Sequence, residues 1–297
     1  MKTFGILYAI GALLLGIFSA GGEKPLFDET DLLADSNGAG GVIFSAGGGE
    51  KTYKIPEGMS AMGILLYDLR DGEALVAKNP DYVFPIASLS KIMTGLLSLE
   101  YIDPGEIITI SRDAVLAEGN SGDFIVGEEV VFRDLLSRMM MNSSNDAAMA
   151  LAEEVGRRLG GDSFEERISL FIALANDKSF ALGMQSTIFQ NPTGLDIEDI
   201  WPSNYSRARD LALLVEETMK FPLLWEASRE SEMNVLASRV PFFIGGKTGF
   251  TDNAKGSLVL LFEYPLSRPL VLILLDSESR ESRFLDAETF LRENGIL

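Results

Sequence analysis

The 297-residue sequence contains no cysteine and no histidine. Without cysteine there is no disulfide framework, thiolate nucleophile, cysteine-held iron–sulfur cluster or lipid-modified N-terminal cysteine. Without either residue, Cys/His zinc sites and Ser-His-Asp triads are excluded as well. A general base in this chain has to be Lys, Asp, Glu or Tyr, an acyl transfer would run on a lysine-type mechanism, and neither a metal nor another cofactor is expected. Positive charge is scarce: 25 Lys and Arg stand against 44 Asp and Glu, a net charge of −19. That argues against a nucleic-acid partner and otherwise describes a well-solvated surface. Long apolar runs are also missing, with one exception, Phe4 to Ala20.

That exception follows Met1 and Lys2 and marks residues 1–21 as an export signal or an N-terminal membrane anchor. Seventeen residues is long for a cleaved signal core and short for a span. Lys2 and the amino terminus orient whatever follows outward, so the chain is expected to be exported, periplasmic or extracytoplasmic. Residues 22–52 read as a flexible Gly-rich and acidic linker. Inside it, Ile43 to Lys51 repeats Ile17 to Lys24 with one added glycine, a duplication for which we have no physical account.

The remainder, 53–297, has the composition of a globular domain. Gly63 to Asp68 and Ala74 to Ala77 flank Asp71-Gly72 and read as a β-hairpin. Leu89, Ile92, Met93, Leu96 and Leu97 then recur at helical spacing, with Ser88 at the start of that helix. The region from about 105 to 235 is rich in helical patterns, for example Ala147, Ala148, Leu151, Ala152 and Val155 on one face. Strands resume over Phe242–Phe250, Ser257–Phe262 and Leu270–Leu275. A closing helix carries Phe284, Ala287 and Leu291 on one face and ends near Gly295. Strands at both ends with helices between them predict an α/β chain of the α+β type, an antiparallel sheet flanked by helices with an inserted all-helical subdomain.

Three short motifs carry chemistry. Ser88-Leu89-Ser90-Lys91 puts a hydroxyl and an amine one helical turn apart, as nucleophile and base would need. Alone it means little, since a chain this long meets Ser-x-x-Lys by chance on the order of once. Ser143-Ser144-Asn145 precedes a helix that Asn145 or Asp146 would cap. Lys247-Thr248-Gly249 falls in a strand behind Gly245-Gly246, where small residues would let a substrate backbone approach the edge.

In this order, on these element types, the motifs form the Ser-x-x-Lys, Ser-x-Asn and Lys-Thr-Gly set of penicillin-binding proteins and serine β-lactamases. The surroundings narrow the likeness: Ile86 to Thr94, Glu118-Gly119-Asn120-Ser121-Gly122, Ser143 to Ala147, Leu182-Gly183-Met184, Asn191-Pro192-Thr193-Gly194-Leu195, Tyr205 to Asp210 and Gly246 to Thr251. From about residue 55 onward the chain resembles the low-molecular-mass D-alanyl-D-alanine carboxypeptidases, serine peptidase family S11. The resemblance implies a β-lactamase/transpeptidase-like fold and a peptidoglycan stem peptide ending in D-Ala-D-Ala as substrate, with β-lactams as inhibitors. It implies that Ser88 attacks, Lys91 takes its proton and Ser143 relays a proton to the leaving amine. Asn145 would bind the substrate amide, and Lys247 and Thr248 the terminal carboxylate, with Gly249 leaving room. The amides of Ser88 and Phe250 would form the oxyanion hole.

Two departures stand out. Ala254-Lys255-Gly256 replaces the usual Ala-Gly pair, which bears on fine substrate preference. The sequence ends just after its closing helix, without the second domain and amphipathic tail of many relatives, so an anchor is expected only at the N-terminus. A class A-like β-lactamase is the nearest rival, but no Glu-x-x-Leu-Asn string lies between Ser143 and Lys247. A D-Ala-D-Ala endopeptidase would use the same residues. A non-enzymatic wall-binding protein would show a broken motif, and none is broken.

Overall fold

The computed structural model describes residues 42–43, 51–117, 119, 122–197, 201–229, 236, 238–240 and 242–297, all within the unit Gly40–Leu297. The expected signal or anchor, most of the linker and most of the duplication lie outside the described residues, as do Glu118, Asn120 and Ser121. Among the described residues no helix is long and apolar enough to cross a membrane.

The chain runs β1 (Val42–Ile43), β2 (Gly63–Asp68), β3 (Glu73–Lys78), β4 (Phe84–Pro85), α1 (Lys91–Tyr101), β5 (Ile107–Thr109), α2 (Arg112–Val115), β6 (Glu129–Val131) and α3 (Phe132–Met141). It continues with α4 (Asn145–Arg158), α5 (Phe164–Ala181), β7 (Tyr205–Ser206), α6 (Ala208–Thr218) and α7 (Pro222–Glu226). The last part is β8 (Phe243–Thr251), β9 (Lys255–Glu263), β10 (Pro269–Ser277) and α8 (Ser282–Glu293).

Six strands form one antiparallel sheet in the order β1-β3-β2-β10-β9-β8. β2 and β3 are joined at Asp71-Gly72, where Gly72 adopts φ +70° and donates to the Asp68 carbonyl at 2.9 Å. The sheet joins early and late parts of the described residues, because β2 pairs directly with β10. Both faces are covered, so β9 and β10 read as unbroken apolar runs instead of alternating ones. Alternation still decides which core each residue enters. Leu65, Val259, Leu261, Val271 and Ile273 join the larger core with residues of α1, α3, α4, α5 and α6. Ile64, Leu66, Leu258, Leu260, Leu270 and Leu272 face the other way, toward Ala287, Phe290 and Leu291 of α8. The span 105–235 holds α2 to α7 together with the short pair β5–β6, and β7 pairs back to β4.

Two local expectations change. Ser88 lies in a 3-10 turn, Ala87–Ser90, that leads into α1. The cap of α4 is Ser144, whose Oγ accepts from the Ala147 amide at 3.0 Å; Asn145 does not cap because its carboxamide oxygen is engaged by Lys91. Within the span read as linker, β1 pairs with β3 through Val42–Ala77 and Ile43–Val76. Lys51 donates to Tyr264 Oη at 2.8 Å and to the Gly295 carbonyl at 3.2 Å.

Candidate active site

The residue before Ser88 is bent out of its ordinary conformation. Ala87 has φ +45°, a left-handed geometry that costs a non-glycine residue about 1–3 kcal/mol. Three contacts hold it there. Ser90 Oγ donates to the Ala87 carbonyl at 2.7 Å, and Asn204 Nδ2 donates to Ser90 Oγ at 2.8 Å. Gly194, itself at φ +80°, packs so tightly that a Cβ would stand 1.9 Å from the Ala87 oxygen. The 3-10 turn that follows leaves Ser88 half-buried, with its Oγ 3.0 Å from Lys91 Nζ.

Lys91 is fully buried. Its Nζ also lies 2.7 Å from Asn145 Oδ1 and 2.7 Å from the Thr193 carbonyl. Burial, then the charge of Lys247, pushes its pKa well below the ordinary lysine value, against a smaller opposing pull from Asp146. A neutral amine has two N–H bonds; given to Asn145 and Thr193, they leave its lone pair facing Ser88 Oγ.

Ser143 occupies the loop between α3 and α4 at φ +58°. The loop is fixed from below: the buried Asp146 carboxylate accepts from Ser144 Oγ and the Gly122 amide, and Arg138 Nη1 donates to the Gly122 carbonyl at 2.7 Å. Lys247 Nζ reaches from β8 to Ser143 Oγ at 2.9 Å and to the Thr248 carbonyl at 2.9 Å. Burial and then the Arg283 charge lower the Lys247 pKa to about 7. Two hydrogen-bonded groups result, Ser88 and Asn145 on Lys91 and Ser143 on Lys247, and the Lys247 charge acts on Lys91 between them. Thr248, Gly249 and Phe250 continue along β8, the edge strand of the sheet.

Close packing gives two of the β8 glycines a structural reason. A Cβ on Gly249 would meet the Ile86 carbonyl at 2.8 Å, so its small size admits the turn that carries Ser88. A Cβ on Gly245 would meet Ser228 Oγ at 2.6 Å and the Trp225 carbonyl at 2.9 Å, so that position serves packing against the α7 region. Lys255, the departure from the family pattern, adopts φ +49° in the tight turn and pairs with Asp276 at 3.3 Å.

Several functional groups escaped the sequence reading. Arg283 on α8 is buried and donates to the Gly249 carbonyl at 2.6 Å; no spacing rule connects it to β8. The Thr193 carbonyl is backbone and leaves no side-chain signal. Asn191-Pro192-Thr193-Gly194 was legible as a string, and its geometry gives the reason for it. Asn191 Oδ1 accepts from the Thr193 and Gly194 amides at 3.1 and 2.7 Å, and Thr94 Oγ1 donates to the Pro192 carbonyl at 2.7 Å.

Residues 50–278 match the model of peptidase family S11, D-alanyl-D-alanine carboxypeptidase. The chain belongs to this family. Among S11 relatives, it is 31% identical to the D-alanyl-D-alanine endopeptidase of Pseudomonas aeruginosa, covering 80% of this chain and 78% of that protein. It is 30% identical to D-alanyl-D-alanine carboxypeptidase DacC of Escherichia coli, covering 82% of this chain and 62% of that one. Of solved structures, penicillin-binding protein D2 of Listeria monocytogenes in its ampicillin-bound form aligns with TM-score 0.67 and 30% identity, covering 80% of this chain and 98% of that one. A variant of the Streptomyces K15 DD-transpeptidase aligns with TM-score 0.73 and 25% identity over 82% of this chain and all of that one. The fold is that of penicillin-binding DD-peptidases.

Proposed function

We propose that this S11 member is a serine D-Ala-D-Ala carboxypeptidase that works through a Ser88 acyl-enzyme. The observation that carries the reading is a fully buried lysine amine, its pKa lowered, 3.0 Å from a half-buried serine hydroxyl. Ser88 Oγ attacks the carbonyl joining the two D-alanines while Lys91 accepts its proton. The amides of Ser88 and Phe250 receive the oxyanion, a service whose loss typically costs about 3 kcal/mol per donor. As the C–N bond breaks, the proton that Lys91 took from Ser88 passes by way of the Ser143 hydroxyl to the departing amine of the terminal D-alanine, which leaves Lys91 neutral again. Asn145 holds the substrate amide, and Lys247 and Thr248 hold the terminal carboxylate. Water then attacks the ester, releasing the shortened peptide and restoring Ser88.

A β-lactam presents the same carbonyl and leaves an acyl group on Ser88. Mass spectrometry after penicillin exposure tests the reading: one drug mass is added to the protein, and none to Ser88→Ala. Labelling that survives the substitution overturns it. The substrate lies outside the cytoplasm, in keeping with export directed by residues 1–21. A second reading, endopeptidase, is favoured by the 31% and 28% identities to endopeptidases of Pseudomonas aeruginosa and Escherichia coli. Turnover of a pentapeptide against a cross-linked dimer separates the two.

A further inference from the structure

Asn204 takes no part in the proposed chemistry, yet the supports of the nucleophile and of the base meet on it. It is buried, 1% exposed, immediately before β7. Its Oδ1 accepts from the Gln190 and Asn191 amides at 2.7 and 3.2 Å. Its Nδ2 donates to the Asn191 carbonyl at 2.9 Å and to Ser90 Oγ at 2.8 Å. Its own carbonyl accepts from the Ile86 amide at 3.0 Å.

These partners fix the orientation of the side chain. Backbone N–H groups only donate and backbone carbonyls only accept, so the carboxamide oxygen must face Gln190 and the nitrogen must face the Asn191 carbonyl. The remaining Nδ2 hydrogen goes to Ser90 Oγ, which therefore keeps its own proton for the Ala87 carbonyl at 2.7 Å. Ala87, at φ +45°, is the residue before Ser88. A second arm reaches the base. Asn204 grips both backbone polar groups of Asn191, whose side chain accepts from the Thr193 and Gly194 amides and donates to the Leu195 carbonyl at 2.9 Å. That holds the turn whose Thr193 carbonyl accepts from Lys91 Nζ and whose Gly194 packs on the Ala87 carbonyl.

We propose, on the reading of Ser88 and Lys91 given above, that Asn204 is a positioning residue for acylation. Its carboxamide donates to Ser90 Oγ, directs the Ser90 proton onto the Ala87 carbonyl and so sets Ser88 against Lys91. Asn204→Asp replaces the NH2 group by an oxygen of similar size. The Asn191 carbonyl then loses its donor, and the new carboxylate draws the Ser90 proton away from Ala87.

Wild type, Asn204→Asp, Ser90→Ala and the double variant are followed by stopped flow over a range of fluorescent penicillin concentrations, with thermal unfolding recorded for each. This separates the limiting acylation rate from the half-saturating concentration. Asn204→Asp should lower the limiting rate by about 10²-fold, the scale of an ångström-sized misplacement. The half-saturating concentration should stay put, because Lys247 and Thr248 are untouched. Ser90→Ala should also slow acylation, and the double variant should lose less than the product of the two single losses, since both act on one hydroxyl. A residue that only stabilises the fold would instead reduce the labelled fraction and the unfolding temperature while the folded protein reacts at the wild-type rate. That result overturns the proposal, as do single losses that multiply. If Asn204→Asp does not fold, Ser90→Ala decides: a slowed limiting rate supports the proposal and a wild-type rate overturns it. Labelled wild type with unslowed variants overturns the role of Asn204 alone, whereas wild type that penicillin does not label overturns the functional reading as well.

Discussion

Ser88 Oγ and Lys91 Nζ, three residues apart in sequence, stand 3.0 Å apart at the junction of a 3-10 turn and α1. Replacing Lys91 by Met should keep the nucleophile and remove its base. Acylation by penicillin is expected to slow by about 10²–10⁴-fold, the usual range for a positioned general base. Stopped-flow measurement with a fluorescent penicillin reads this directly, and a rate within tenfold of wild type would assign the base elsewhere.

The pH profile of acylation should rise through an apparent pKa well below the ~10.4 of free lysine, because burial and the Lys247 charge both disfavour protonated Lys91. Removing the neighbouring charge relaxes one of these two causes. The apparent pKa of Lys247→Ala should therefore move upward, toward the free value. A profile that stays put or moves down would show that the two amines are not coupled.

How much of this was legible depended on whether a contact is local. Ser88 and Lys91 share one turn, so the chemistry is visible in four letters. The hairpin at Asp71-Gly72 and the apolar runs of β9 and β10 declare themselves for the same reason, by period and turn residue. Arg283 reaches Gly249 across 34 positions, and Thr193 reaches Lys91 across 102 through a carbonyl that any residue possesses. The glycines were visible as small residues but not as neighbours of Ile86 and Trp225, since what fills the space beside a glycine is decided by packing. The left-handed Ala87 had no signal either: alanine is an unusual choice there, tolerated because Ser90 and Gly194 hold its carbonyl.

Stability should depend on pH through Lys247. Its folded pKa is about 7, against ~10.4 unfolded. Between those values the unfolded chain binds more protons than the folded one, so stability rises with pH across the window and falls as pH drops through 7. Urea unfolding at pH 7 and pH 9 should give a higher midpoint at pH 9, and Lys247→Met should shrink the gain. An equal gain in the variant would place the titrating group elsewhere.

Arg283→Met should act on both counts. The Gly249 carbonyl loses a buried charged donor, worth about 1–3 kcal/mol, and Lys247 loses the cation that helps keep it unprotonated. The denaturation midpoint should fall, and the pKa of Lys247, followed by NMR of the labelled lysine amine, should rise above about 7. A lower midpoint with an unmoved lysine would reduce Arg283 to a clamp on β8.

Where the folded unit begins is set by what the early residues hold. Asn294 brackets Lys54, its Oδ1 accepting from the Lys54 amide and its Nδ2 donating to the Lys54 carbonyl, both at 2.9 Å. Asp286 accepts from the Ser60 and Ala61 amides at 2.8 and 2.9 Å. A chain beginning at Lys51 keeps every one of these contacts and should be acylated by penicillin at the full-length rate. It loses β1, though, and uncovers the β3 edge at Val76 and Ala77; an unpaired strand edge recruits other chains. Light scattering should therefore show more self-association than in the full-length protein. A chain beginning at Gly63 leaves the Asp286 carboxylate and the Asn294 side chain without these partners at the surface of α8, and its unfolding temperature should fall by several degrees. If the chain beginning at Lys51 already fails to be acylated, residues before Lys51 belong to the catalytic unit.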